Sequence, residues 1–250
     1  MTKIVVIGGT GLIGSKLVSQ LTEQGNEAVA ASPNSGVNTL TGEGLADVLT
    51  DAQVVVDVSN SPSFEEREVL NFFTTSTTNL LSAATAAGVG HYVALSVVGT
   101  ERLAESAYFR AKIAQEKLIK EAGIAYSIVH ATQFFEFVRS IADSGTVNGE
   151  IHASPALIQP IAADDVATAV GKTAVSEPIN GTVEVAGPEQ FGLDELISKR
   201  LTLDGDSRRV VTDPGARYFG AVLQERTLVP GPGATTFPTR FEEWATRPST

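Results

Sequence analysis

Seven residues near the start of the chain, Gly8-Gly9-Thr10-Gly11-Leu12-Ile13-Gly14, have the composition of a phosphate cradle. They satisfy G-x-G-x-x-G through Gly9, Gly11 and Gly14, directly after the β-branched run Ile4–Ile7 and directly before a helical pattern. Such a loop needs glycine for a tight turn, for close approach of backbone to a pyrophosphate, and for close packing of helix on strand. The helix that follows turns free N–H groups and the positive end of its dipole towards the phosphates. A plain β–α turn seldom needs so many glycines, so the loop reads as a dinucleotide site. An NAD site usually offers an acid about 20 residues further on for the ribose 2′-OH. Here that stretch reads Ala30-Ala31-Ser32-Pro33-Asn34-Ser35, with no acid until Glu43. A missing acid removes repulsion against a 2′-phosphate, and Ser32, Asn34 and Ser35 could donate hydrogen bonds to one, which favours NADP(H) over NAD(H). Lys16 is the nearest cation, and the segment holds no arginine.

A second set of residues could move a proton. Tyr108-Phe109-Arg110-Ala111-Lys112 places Tyr108 and Lys112 at i and i+4, on one face of a helix. A phenol with a pKa of about 10 is a poor acid–base catalyst at neutral pH. A neighbouring ammonium stabilises the phenolate and brings it towards use. Ser96 lies upstream at the end of an apolar run, where open α/β sheets bind their ligands, and its hydroxyl could hold a substrate oxygen. The bland alternative is a half-buried tyrosine beside an exposed lysine.

The elements that must position these residues alternate in kind. Short apolar runs at Ile4–Ile7, Glu27–Ala31, Val54–Val58, His91–Ser96 and Tyr126–His130 suit strands buried on both faces, as in a parallel sheet. Helical patterns lie between them at Gly11–Gln24, Glu65–Ala87 and Ala107–Glu121. Gly25, Gly88 and Gly123 fall just past these, where a left-handed residue ends a helix. Ile161–Val170 reads as a helix with Asp164 and Asp165 in a favourable first-turn position, Gly181–Ala186 as a late strand and Asp194–Leu201 as a short helix. The tail from Val229, with Pro230, Pro232, Pro238 and Pro248, is expected to pack as an extended arm or to fray at its end. The alternation predicts an α/β fold, a Rossmann-type doubly wound parallel sheet with a small C-terminal substrate lobe. The expected division is residues 1–150 for the dinucleotide-binding core and 151–250 for the lobe and tail, packed as one unit.

Composition narrows the partners. The 250 residues are 42% hydrophobic and 19% charged, enough for a sizeable core. The net charge of −11 opposes nucleic acid and anionic membrane surfaces. There is no cysteine, which removes disulfides and thiolate chemistry, and the three histidines show no metal-ligand spacing. No signal peptide or membrane span is legible, so the expectation is a cytoplasmic protein acting on a small molecule without a metal, its oligomeric state open.

Gly8–Gly14, Ser96, Tyr108 and Lys112 together resemble the short-chain dehydrogenase/reductase superfamily. Leu80-Leu81-Ser82-Ala83-Ala84, His91–Ser96, Gly123–Val129, Ile161–Ala167 and Val183–Pro188 resemble its atypical, NmrA-like branch. The resemblance spans about residues 4 to 200 and implies hydride transfer to or from a carbonyl or hydroxyl carbon: a ketone, an aldehyde or a quinone-like carbonyl. It assigns Tyr108 as general acid, Lys112 as its tuning cation and a contact to the nicotinamide ribose, and Ser96 as the group orienting the substrate oxygen. His130 stands where this branch often carries arginine. The branch also contains dinucleotide-sensing regulatory proteins without turnover, which is the alternative; a nucleotide-sugar epimerase is a weaker third.

The remaining residues carry less. Asp57, Ser59 and Asn60 follow an apolar run, and Ser59 and Asn60 could contact the cofactor. Gln133, Phe134 and Phe135 follow His130 and could wall a substrate pocket or be core. His91 and His152 are expected at the surface. Arg208, Arg209 and Arg217 could be solvated or could anchor an acidic substrate. Trp244 is expected to dock the tail.

Overall fold

Because successive side chains on a strand point to opposite faces, an apolar run without polar alternation has to be covered on both sides. In the computed structural model, which describes residues 1–247, that is what happens to the central strands of a seven-stranded sheet, while its edge strands are partly or wholly exposed. The seven are β1 (Lys3–Ile7), β2 (Glu27–Ala31), β3 (Val54–Asp57), β4 (His91–Val97), β5 (Tyr126–Ala131), β6 (Gly181–Ala186) and β7 (Thr235–Thr236). Five main helices accompany them: α1 (Leu12–Glu23), α2 (Glu66–Ala86), α3 (Ala107–Glu121), α4 (Ala163–Ala174) and α5 (Leu193–Asp204). Ile4, Val6, Val54, Val56 and Val93 face a layer made by α1 and α4. Val5, Ile7, Val55, Tyr92 and Ala94 face the opposite layer, made by α2 and α3. Each such fully buried side chain contributes about 1.5–3 kcal/mol relative to exposure.

The strand order is β7-β6-β5-β4-β3-β1-β2, and every neighbouring pair is parallel. This is a Rossmann-type doubly wound sheet. From β1 the chain steps outward to β2 and then crosses back to lay β3 on the other side of β1. The crevice at the carboxyl ends of β1 and β3 is therefore the topological switch point, where such sheets bind ligands. Both the glycine loop and Ser59-Asn60 open onto it.

A second core lies beyond these carboxyl ends. It joins α5 and the short helix Val138–Ser144 to the strand Glu150–Ala153 and the hairpin Arg217–Tyr218/Ala221–Val222. The division at residue 150 follows this lobe only in part, since α4, β6 and β7 return to the main sheet. The tail is ordered by its aromatics. Thr235–Thr236 adds a strand beside β6, and the short helix Phe241–Ala245 sets Phe241 fully inside the lobe. Trp244 docks there, as expected, with Nε1 donating to Glu136 at 3.0 Å. Pro248 lies outside the described residues.

Two expectations need correction. His91 is buried, not at the surface, because it begins a central strand flanked by β3 and β5; its Nε2 pairs with Ser127 Oγ at 2.9 Å. Helix α4 starts at Ala163 rather than Ile161, because Ile161 is held extended by its N–H bond to the Gln133 carbonyl at 2.9 Å. Asp164 and Asp165 do lie in its first turn, and the N-cap is Ala162. Asp164 pairs with Lys16 at 2.7 Å, Asp165 accepts from Thr239 N, and the Glu136 carboxylate takes the Ala163 N–H at 3.2 Å. Of the arginines, Arg208 is half-buried and paired with Asp206 and Asp143, while Arg209 and Arg217 are exposed, in keeping with solvated charge, Arg209 facing Glu150 and Arg217 donating to the Gly220 carbonyl. Among the described residues no helix is long and apolar enough to cross a membrane.

Candidate functional site

The glycine loop is built by contacts that leave no room for side chains except on one side. A Cβ on Gly14 would overlap the Gly8 carbonyl oxygen, and one on Gly9 would sit 2.6 Å from Ala30 Cα. Gly8 takes φ of +78°, and a Cβ there would meet the Ser59 backbone at 2.9 Å. These glycines press α1 onto β1 and the β3 loop onto both. Gly11 differs: a Cβ would touch only the Gly8 carbonyl oxygen, at 3.3 Å. Gly11 is also the N-cap of α1, with no side chain satisfying the first-turn N–H groups. Open space, free donors and a positive helix end fit a pyrophosphate. Thr10 and Leu12 are exposed around it, and Ile13 is buried beneath.

At the end of β2, Ser32 Oγ is buried and without a hydrogen-bond partner. Ser35 Oγ is occupied, accepting from Ser32 N at 2.9 Å, while Asn34 is exposed at the tip of the turn. The 2′ end of an adenosine ribose would thus meet hydroxyl and amide groups and no carboxylate. Lys16, the nearest cation in sequence, pairs with Asp164 at 2.7 Å.

Tyr108 and Lys112 share one face of α3. The Tyr108 hydroxyl donates to Asn60 Oδ1 at 3.3 Å, which sets the phenol against the loop that packs on Gly8. Its ring lies 5.6 Å from Phe64 and 5.9 Å from Phe73, and burial raises its pKa. The Lys112 ammonium donates to the Leu95 carbonyl at 3.0 Å and to Gln115 Oε1, and lies 4.5 Å from the centre of the Phe73 ring. Burial brings its pKa down to about 8, against the opposing charges of Asp57 and Glu116. The ammonium still dominates at pH 7. Ser96 is elsewhere: its hydroxyl donates to Glu116 Oε1 at 2.6 Å, one helical turn past Lys112. Among the described residues no hydrogen bond joins Ser96 to Tyr108. His130 Nε2 shares the same carboxylate oxygen at 2.7 Å.

A family described as NAD(P)H-binding matches residues 8–174, from the glycine loop to the end of α4. The chain belongs to this NAD(P)H-binding family. It is similar to the photosystem II assembly factor Ycf39 of Cyanophora paradoxa, with 24% identity over 231 residues, 84% of this chain and 71% of the relative. Its fold is similar to that of dTDP-4-dehydrorhamnose reductase from Bacillus anthracis in complex with NADP (TM-score 0.72, 16% identity, 98% of this chain and 96% of that one). It is also similar to the NADPH-dependent quinone oxidoreductase QOR2 of Escherichia coli complexed with NADPH (TM-score 0.65, 18% identity, 84% and 77%). At these identities the structures carry the fold alone, a Rossmann-type sheet. The resemblance to the NmrA-like branch of the short-chain superfamily agrees with it.

Sequence singled out Asp57 of this NAD(P)H-binding protein's site but not Gln115, Glu116 or Tyr218. Asp57 organises the end of β3: Oδ1 accepts from Ser59 N and Oγ at 3.0 and 2.6 Å, and Oδ2 from Gln115 Nε2 and Tyr92 Oη at 3.1 and 3.3 Å. Gln115 and Glu116 follow Lys112 by three and four residues, a helical spacing that was available. Tyr218 carried no signal, because its contact with Phe109 is made only by the lobe. Of the three residues expected to wall a pocket, Phe135 is core of the lobe, and Phe134 stacks on Phe137 with ring centres 5.3 Å apart. Gln133 is buried, and neither side-chain amide atom meets a hydrogen-bond partner. Leaving such a group unpaired costs about 1–3 kcal/mol.

Proposed function

We propose that this protein is an NADP(H)-dependent oxidoreductase that reduces a ketone, aldehyde or quinone-like carbonyl, with Tyr108 as general acid. The observation that carries the reading is the Tyr108–Asn60 bond. Asn60 adjoins Ser59, whose backbone lies against Gly8, so the phenol stands at the edge of the same crevice as the phosphate loop. The dihydronicotinamide, when bound, supplies the hydride. The chain supplies the rest. The α1 N-terminus and Gly11 receive the pyrophosphate, and Ser32, with its free hydroxyl, favours NADP(H) over NAD(H). Tyr108 gives its proton to the oxygen that gains charge, and Lys112 stabilises the phenolate left behind and contacts the nicotinamide ribose. Burial makes the phenol a weaker acid in this structure, and in this reading the Lys112 charge, one turn along the same helix face, has to offset that burial when cofactor is bound. Ser96 acts through Glu116, fixing α3 against β4, rather than on the substrate.

The test is NADPH consumption across a panel of aldehydes, ketones and quinones, with NADH as the weaker reductant. Tyr108→Phe keeps the ring and removes the donor, so kcat should fall by about 10²–10⁴-fold while NADPH affinity stays within roughly twofold. A variant as fast as wild type overturns the assignment. The alternative, a regulatory NAD(P)H-binding protein without turnover, draws support from Ser96 being committed to Glu116 and from the similarity to Ycf39, named as an assembly factor. Tight NADPH binding with no turnover on any panel member favours it.

A further inference from the structure

Asp57 and Lys112 carry opposite charges and are both buried, each only 2% exposed. Among the described residues they nevertheless form no ion pair, because Gln115 stands between them. Its Oε1 accepts from the Lys112 ammonium, and its Nε2 donates to Asp57 Oδ2 at 3.1 Å. An ammonium only donates and a carboxylate only accepts, so the amide can face them in one way alone. The rest of the surroundings fix both ends. Lys112 also donates to the Leu95 carbonyl at 3.0 Å, and the Phe73 ring covers it from α2. Asp57 accepts from Tyr92 Oη at 3.3 Å and from Ser59 N and Oγ at 3.0 and 2.6 Å. Asn60, the next residue, accepts from the Tyr108 hydroxyl. Lys112 and Tyr108 share no hydrogen bond among the described residues. What joins them is a path through Gln115, Asp57 and the Ser59-Asn60 turn.

We propose that Asp57 is a positioning residue for Lys112, acting through Gln115: the amide holds the ammonium at the crevice and passes on the pull of the carboxylate. The proposal rests on the reading of Lys112 as the cation that serves Tyr108, and it names what keeps that cation in place. A carboxylate in direct contact would pair with the ammonium and spend its charge on a bidentate or contact pair. An interposed amide leaves the charge available for a phenolate, and in a buried site successive hydrogen bonds polarise one another. Burial works against the ammonium, and the opposing charges of Asp57 from β3 and Glu116 from its own helix work for it, which leaves its pKa at about 8. The α2 and β4 sides add an aromatic ring and a carbonyl, and the Tyr108 phenol lies one helical turn back.

The experiment follows Lys112 itself, with or without turnover. The lysine Cε signals of the isotope-labelled, full-length protein are titrated by NMR, and Lys112 is identified by its loss in Lys112→Met. Wild type should give a midpoint of about 8. Asp57→Asn and Gln115→Met preserve size and each remove one link, so each should lower the midpoint by about one pH unit, a tenfold change in the dissociation constant. The double variant should fall by clearly less than the sum, because both changes break the same path. Gln115→Asn, which keeps the amide and shortens its reach, takes the place of Gln115→Met if that variant does not fold, with the same expected fall. A role in stability alone would lower Tm and leave the midpoint where it is. A midpoint within about 0.3 pH unit of wild type in the Gln115 variant overturns the proposal. So do fully additive shifts, which would mean that Asp57 acts by its charge without the amide. If the midpoints move as expected while Tyr108→Phe keeps wild-type turnover, the catalytic reading fails and the positioning of Lys112 stands.

Discussion

Gly11 and Gly14 are the same residue type under different constraints, and the difference can be measured. At Gly14 any side chain collides with the Gly8 carbonyl, so the glycine serves the packing of α1 on β1. At Gly11 a Cβ would meet only the Gly8 carbonyl oxygen, at 3.3 Å, a tight contact that a shift of a few tenths of an ångström relieves, on an ordinary extended backbone with φ of −82°. Gly11→Val should therefore fold with a Tm near that of wild type and lose NADPH binding, because the added carbons occupy the space before the free N–H groups. Gly14→Ala should cost about 1–3 kcal/mol of stability by overpacking, besides weakening binding. Fluorescence titration with NADPH and urea unfolding separate the two. Normal NADPH affinity in Gly11→Val would mean the phosphate loop is misplaced.

At the scale of elements, α3 is the part that the site depends on, and Glu116 ties it to the sheet. Burial alone would push its carboxyl up. The His130 hydrogen bond and charge, the Ser96 hydroxyl and Lys120 outweigh burial and hold the pKa at about 2, against an ordinary value of 4.5. A carboxyl depressed in the folded state contributes stability that is fully present above its unfolded pKa and is lost as pH falls through the folded one. The window is thus from about 4.5 down to about 2, and the contribution above it is on the order of 3 kcal/mol. Glu116→Gln should lower stability at pH 7 by that order and flatten the fall across the window, as followed by urea midpoints at stepped pH. An unchanged acid limb would show that the Ser96–Glu116–His130 cluster does not bear on stability. His91 teaches the same lesson on β4. A histidine that looks like surface by type is buried when its strand sits between two others.

The whole molecule closes through its tail. After the lobe the chain returns to the sheet edge as β7 and then to the lobe, where Phe241 packs against Phe135 and Phe191 at 5.4 and 6.1 Å between ring centres. Phe241 has no exposure. Phe241→Ala should cost about 3–5 kcal/mol, the range for a fully buried aromatic. Urea unfolding reads it, and a loss below about 1 kcal/mol would mean the tail is not part of the cooperative core.

What the sequence determined by itself is what neighbouring residues encode. The loop Gly8–Gly14 between a strand and a helix, the missing acid at Ser32–Ser35, the shared face of Tyr108 and Lys112 and the apolar runs of β1 to β6 all depend on spacings of a few residues, because turns, helical faces and strand faces are local geometry. Tertiary structure alone decided the partners of buried polar groups. Ser96 finds Glu116 across 20 residues and His91 finds Ser127 across 36, each because burial forces a polar atom to pair with whatever the fold brings near. Tyr218 comes to the Phe109 ring that Tyr108 also touches only because the lobe folds back over the carboxyl ends of the strands. No periodicity in the chain records that meeting, since it is fixed by how two hydrophobic cores dock.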